Sequence, residues 1–158
     1  MVITYGPRDS RCLYEANAPQ AIHWATLQDD PVVSVGAELI AVIRANTRSQ
    51  VWADVAADVR AILERFQQCV AIDPEDIKPI AQDGRLWEIR IDLTTDGLLL
   101  RIYETEIPEL PGNIVALLCH HKVVVYGDEA ETRRMQDEKI GEARSRWDRG
   151  RPTFWGLP

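Results

Sequence analysis

Within Leu86 to Leu93 apolar and polar residues alternate from Trp87 on, where Trp87, Ile89, Ile91 and Leu93 are separated by Glu88, Arg90 and Asp92. A period of two predicts a strand with one face in the core and the other in water. Thr95, Asp96 and Gly97 follow, and because an Asp-Gly step tolerates positive φ, Leu98 to Glu104 is expected to fold back as the second strand of a hairpin. The stretch from Ile107 to Gly112 holds two prolines and a glycine and cannot continue a ladder. A third strand is expected from Asn113 to Lys122, apolar as far as Leu118 and ending in Cys119, His120, His121 and Lys122.

Elsewhere the period lengthens. Between Ser49 and Gln68, Trp52, Val55, Val59, Ile62, Leu63 and Phe66 recur at spacings of three and four, which predicts a helix with Ser49 placed to cap it. Val32, Val35, Leu39, Val42 and Ile43 predict another helix over Pro31 to Asn46, with the proline in its first turn. Ala21 to Leu27 reads as a short strand, and Val70 to Gln82, with its two X-Pro steps, as an irregular connector. After the third strand, Val123 to Tyr126 reads as its continuation until Gly127 and Asp128 break it. Met135, Ile140, Ala143 and Trp147 then form the thin seam of a mainly polar helix ending near Asp148.

The expected architecture is an α+β domain in which an N-terminal strand and two helices pack with a small antiparallel sheet, the helices on one face, followed by a C-terminal helix. Residues 1–20 form an irregular N-terminal extension, 21–147 the domain, and 148–158 a tail whose Phe154 and Trp155 dock on the body or on a partner.

The chain has 158 residues, 46% of them hydrophobic, enough for one domain with its own core. Its net charge of −7 argues against a surface that is a nucleic-acid platform throughout. The charge is uneven: residues 121–158 hold 8 of the 18 Lys and Arg but 7 of the 25 acids. An anion-binding surface therefore draws on the C-terminal third and on isolated arginines of the sheet. Three cysteines without CxxC spacing suggest neither a disulfide framework nor a zinc knuckle, and a reducing cytoplasm is the expected setting. No stretch approaches the roughly 20 apolar residues of a membrane span, so no membrane contact is expected.

Several strings, in order, resemble the RelE/ParE superfamily of bacterial toxins, in its HigB-like, phage-derived branch. IKPIAQDGRLWEIR, from Ile77 to Arg90, is similar to that branch's segment leading into the sheet. LLLRIYETE and IVALLCHHK resemble its next two strands, and DEKIGEARSRW its terminal helix. The resemblance covers roughly residues 21–147. It implies a RelE-like fold and a ribosome-dependent endoribonuclease, the toxin of a type II toxin–antitoxin pair. It also implies a cytoplasmic cycle in which a cognate helix-turn-helix antitoxin neutralises the toxin and makes the operator DNA contacts for both. No cofactor is implied.

Cleavage by a ribose 2′-hydroxyl needs cations for the phosphorane-like charge and groups that move protons. If Trp87, Ile89 and Ile91 face the helices, strand alternation puts Glu88 and Arg90 on the other face; His120 and Lys122 share a face and His121 takes the opposite one. Arg90, His120 and Lys122, with Arg101 if the hairpin register permits, then form a phosphate clamp with a proton shuttle. His121 and Tyr126 are further catalytic candidates, Tyr126 also as a stacking platform. Lys78, Arg101, Arg133 and Arg134 are candidate RNA contacts.

Each has a plain structural alternative. Arg90 pairs with Glu88 or Asp92, Arg101 bonds loop carbonyls, and the arginines of the last helix form a solvated face. No metal site is expected, because adjacent residues on a strand point apart. Two other functions stay open: a non-catalytic binding module on the toxin fold, suggested by the acidic charge and by VVVYGDEAETRR standing where the family carries a basic run, and a ParE-like gyrase poison. Phe154 and Trp155 suit either a homodimer contact or closure over the core.

Overall fold

A computed structural model of the chain describes residues 10–14, 19–29, 31–70 and 72–157. Its elements are α1 (Arg11–Tyr14), β1 (Ala21–Trp24), β2 (Thr26–Leu27), β3 (Val33–Ser34), α2 (Val35–Asn46), α3 (Trp52–Gln68), β4 (Ile77–Pro79), β5 (Trp87–Leu93), β6 (Leu98–Thr105), β7 (Asn113–His121) and α4 (Glu129–Gly150). The architecture is α+β: a five-stranded sheet of order β1-β7-β6-β5-β4, a small two-stranded β2–β3 sheet, and helices.

The three expected strands are β5, β6 and β7, paired antiparallel in sequence order. The sheet as a whole is mixed, because β1 lies parallel to β7 with Ala21 opposite Asn113 and Trp24 opposite Ala116. An all-antiparallel sheet was expected because parallel pairing across some 90 residues of chain leaves no local turn signal. The connector from Val70 to Gln82 is not wholly irregular either. Ile77, Lys78 and Pro79 pair with Ile89, Glu88 and Trp87 as edge strand β4, a place where proline is tolerated.

Ile89, Ile91, Leu100 and Ile102 form the apolar face of the central strands, each at most 2% exposed. Burial of side chains of this size contributes roughly 1.5–3 kcal/mol each. The helix α3 turns Val55, Val59, Leu63 and Phe66 inward toward this core, and α2 adds Val35 and Ile43. Here α2 starts later than the pattern predicts. Val33 and Ser34 pair with Leu27 and Thr26, and Ser34 is the cap, its Oγ accepting from Ala37 N at 3.3 Å. Ser49 lies in a 3₁₀ turn ahead of α3 and its side chain does not cap that helix.

The second face of the sheet is the main departure from expectation. It is covered by α4, so the helices lie on both faces rather than one, and the polar face of β5 is wet only in part: Glu88 is 1% exposed, whereas Arg90 and Asp92 reach solvent. The contacts are largely polar. Gln136 donates to Glu88, Trp147 Nε1 donates to Thr105 Oγ1 at 3.0 Å, and Arg146 donates to the Leu117 carbonyl at 2.9 Å. Arg85 strengthens the joint, stacking on the Trp147 ring at 4.4 Å and reaching Asp83 and Asp148.

β7 ends at His121, and Val123 to Tyr126 form a loop instead of more strand. Thr132 Oγ1 accepts from Val125 N at 2.9 Å, and Asp128 caps α4 by accepting from Glu131 N at 2.9 Å. Beyond α4, Arg151–Gly156 coils into a 3₁₀ segment that buries Trp155 completely. Trp155 Nε1 donates to the Arg146 carbonyl, and the Trp155 carbonyl accepts from His23 Nε2 at 2.9 Å.

Part of the N-terminal extension is also built in. Ser10 Oγ and Arg11 N bond the Glu106 carboxylate, the Arg11 guanidinium holds the carbonyls of Ile107, Leu110 and Asn113, and Cys12 is buried. The expectation of irregular chain for residues 1–9 and 15–18 lies outside the described residues. All three cysteines are free and buried. Among the described residues no helix is long and apolar enough to cross a membrane.

Candidate functional site

The strand register produces two adjacent cross-strand rows on the face that α4 covers. In one, Lys78 of β4 stands opposite Glu88 of β5, and Glu88 opposite Tyr103 of β6. In the other, Arg90 stands opposite Arg101, and Arg101 opposite His120. The hairpin register thus places Arg101 between Arg90 and His120, the condition on which its membership of that row depended.

Burial divides this row. Arg101 is nearly sealed, and its Nη1 bonds Asp92 Oδ1 at 2.5 Å and the Leu100 carbonyl at 2.9 Å. Its guanidinium is spent on structure. His120 is 8% exposed and lies under α4, its ring 5.1 Å from that of Tyr103. Nδ1 donates to the His121 carbonyl at 3.2 Å, while Nε2 is buried without a protein partner among the described residues. Burial pulls its pKa down to about 4, helped by the nearby cations Lys139 and Arg101. The imidazole is therefore neutral at pH 7.

Arg90 reaches the protein surface. Its Nε bonds Glu88 Oε1 at 2.5 Å, and both residues line a groove of about 260 Å³ between the β4–β5 edge and α4. Lys78, Gln82, Arg133 and Gln136 line it too. Lys78 is ion-paired with Glu75 at 2.5 Å, whereas Arg133 has no carboxylate within 4 Å among the described residues. This hollow combines two carboxylates, Glu88 and Asp137, with three cations, Lys78, Arg90 and Arg133, and cations of this kind are what a phosphodiester's charge calls for.

The remaining candidates lie apart. Lys122 lines a small hollow of about 50 Å³ with His120 and Lys139, and its backbone extends the ladder to the Leu99 carbonyl. His121 also lines that hollow, and its Nδ1 accepts from Leu99 N at 3.2 Å; burial, then Arg101, lower its pKa. Tyr126 is 93% exposed on the loop before α4, beside a hollow that shares Arg133 and Gln136 with the groove. Arg134 is tied to Glu131 and Glu138 on the outer face of α4. Arg144 pairs with Asp83, and Arg146 is buried rather than solvated.

Two residues of the groove went unread in the sequence. Glu88 sits at a position that alternation assigns to water. Gln136 carries a clearer signal: it precedes Ile140, Ala143 and Trp147 by 4, 7 and 11 residues, so a polar amide occupies the apolar seam of α4. An apolar hollow of about 330 Å³ between β1, α2 and α3 is lined by Ile22, Trp24, Leu39 and Val59 and has charge at Arg60 and Glu64. Among the described residues no group of three or more His, Cys, Asp and Glu is placed to hold a metal ion.

Comparison with known proteins gives no match: no family model, no curated protein and no solved structure is significantly similar to this chain.

Proposed function

We propose that this chain is an RNA-cleaving toxin of the RelE/ParE kind, acting on ribosome-bound mRNA in the cytoplasm and held in check by a cognate antitoxin. The observation that carries the reading is the Glu88–Arg90 pair, joined at 2.5 Å in the wall of a groove that also holds Lys78 and Arg133. The succession of β1, the helices α2 and α3, the antiparallel strands β4 to β7 and then α4 supports a RelE-like arrangement.

In this reading Glu88 accepts the proton of the ribose 2′-hydroxyl as that oxygen bonds to phosphorus. Arg90 and Arg133 take up the charge growing on the non-bridging oxygens, and Lys78 gives a proton to the departing 5′ oxygen. The products are a 2′,3′-cyclic phosphate and a 5′-hydroxyl end. No metal enters the scheme. Each positioned proton transfer contributes about 10²–10⁴-fold. Tightly induced expression in a bacterium tests this. Wild type arrests growth and cuts translated mRNA, and Arg133→Ala, a surface change, weakens both. A folded wild type that leaves growth and mRNA intact would end the proposal.

A second reading, a non-catalytic binding module, draws on a different observation. Lys78, Arg90, Arg101 and Arg134 are all paired with carboxylates, and His120 is sealed under α4. Retained antitoxin binding with no cleavage would select it.

A further inference from the structure

Glu88 is almost wholly buried, and each of its oxygens has one side-chain partner: Oε1 takes Arg90 Nε at 2.5 Å, and Oε2 takes Gln136 Nε2 at 3.1 Å. The two partners come from different layers. Arg90 is two residues along the same strand, whereas Gln136 reaches in from α4, 48 residues further on. The Tyr103 hydroxyl, opposite Glu88 on β6, is buried close to both Glu88 and Gln136 but meets hydrogen-bond geometry with neither. The amide is thus the one direct side-chain hydrogen bond from α4 to the Glu88 carboxylate among the described residues.

Gln136 also stands where the hollows of this face meet, lining the Glu88–Arg90 groove, the cleft beside Tyr126 and the small pocket beside His120. It holds the helix position that the apolar seam of Ile140, Ala143 and Trp147 would assign to a hydrophobe. A leucine there would pack on the sheet at no desolvation cost. A partly buried amide is tolerated where its donor is used, and here the donor is used on the carboxylate.

We propose that Gln136 is a positioning residue of the groove: by holding Oε2 of Glu88 it fixes the carboxylate plane, so that Oε1 stays on Arg90 and the pair faces the groove as one unit. The proposal rests on the RNA-cleavage reading for its catalytic consequence, but not for its structural one. Without the amide, Glu88 retains a single charged partner and can rotate about its last torsion, which separates the proton acceptor from the guanidinium that shares its phosphate.

The test compares Gln136→Leu with Gln136→Asn and wild type. Crystal structures of the three read the geometry directly. In Gln136→Leu the Glu88 carboxylate is expected to turn away from its wild-type plane with α4 still seated. In cleavage assays on a ribosome-bound mRNA, Gln136→Leu lowers kcat by about tenfold with KM nearly unchanged, since the loss falls on a group acting in the transition state. Gln136→Asn, which keeps the amide, recovers part of it. An unmoved Glu88 in Gln136→Leu, or a kcat equal to wild type, overturns the positioning role. If wild type itself cuts no RNA, the cleavage reading fails, and the position of Glu88 in the two crystal structures still decides the role of Gln136.

Discussion

Arg146 of α4 and Glu38 of α2 form an ion pair, Nη2 to Oε2 at 2.9 Å, across the edge of β7 where β1 ends. The same side chains complete the backbone of that edge: Arg146 Nη1 donates to the Leu117 carbonyl at 2.9 Å, and Glu38 Oε1 accepts from Cys119 N at 2.7 Å. Two side chains thus replace the ladder that β1 no longer supplies, and they join α2 to α4. Glu142 adds a second carboxylate to Arg146 at 2.7 Å.

Removal of the arginine leaves Glu38 and the Leu117 carbonyl without their buried partner. Breaking a buried pair from one side costs about 3–5 kcal/mol. Arg146→Ala is expected to lose stability on this scale in urea unfolding, and Glu38→Gln, which keeps an acceptor for Cys119, to lose less. Equal, small losses would contradict a shared edge cap.

Gly150 closes α4 against Trp155. A Cβ at this position would lie 1.9 Å from Trp155 Cδ1, inside any tolerable contact. Gly150→Ala should therefore expel the indole from its site, with a loss of about 1–3 kcal/mol or more from overpacking. Near-ultraviolet circular dichroism should lose the Trp147–Trp155 signal, whose rings stand 5.9 Å apart, as it does in Trp155→Ala. A Gly150→Ala spectrum like that of wild type would contradict the packing described.

His120 titrates near 4 in the folded chain against an ordinary 6.5, because burial disfavours its charged form. The unfolded chain then binds more protons between these values, so stability rises with pH across the window and is lost as pH falls from about 6.5 to about 4, by up to ~3 kcal/mol. His120→Gln should flatten that part of the stability curve, and the wild-type imidazole should titrate by NMR close to 4. A midpoint near 6.5 would mean that the ring is open to solvent.

Glu104 has the opposite sign. It is fully buried on the other side of the sheet, and burial, then neighbouring Glu106, raise its pKa well above the usual carboxylate range. The folded state holds the proton longer than the unfolded one, so stability is complete below about 4.5 and is lost as pH climbs toward the folded value. Glu104→Gln imitates the neutral acid and should gain on wild type as pH rises. Parallel curves for the two proteins would show that Glu104 is not held neutral.

These residues also show what the sequence makes legible. The period of two found β5, the Asp-Gly turn after it announced β6, and the apolar run from Asn113 to Leu118 marked β7, while the shared face of Arg90 and His120 needed the cross-strand register as well as parity. Parity cannot say what covers a face. The seam of α4 is thin, and its contacts run through Gln136, Arg146 and Trp147 Nε1, residues whose composition reads as solvated. Hence Glu88, which alternation assigns to water, is buried, and so is His120. Strands β4 and β1 depend on partners elsewhere in the chain, which three or four residues of local pattern cannot announce. Of the charged candidates, burial sorted Arg101 toward structure and left Lys78, Arg90 and Arg133 at the groove, a division set by the packed layers.

The central claim is that the Glu88–Arg90 groove cleaves RNA, and the most direct measurement is on purified components. Translating ribosomes carrying a defined mRNA are incubated with wild type or Arg90→Ala, without added metal beyond what the ribosome requires, and the new RNA ends are mapped and their chemistry determined. The account predicts cuts by wild type that leave a 2′,3′-cyclic phosphate, and a rate lower by about 10²–10³-fold in Arg90→Ala, as for loss of a group that stabilises transition-state charge. No cleavage by folded wild type, or equal cleavage by both proteins, would contradict it.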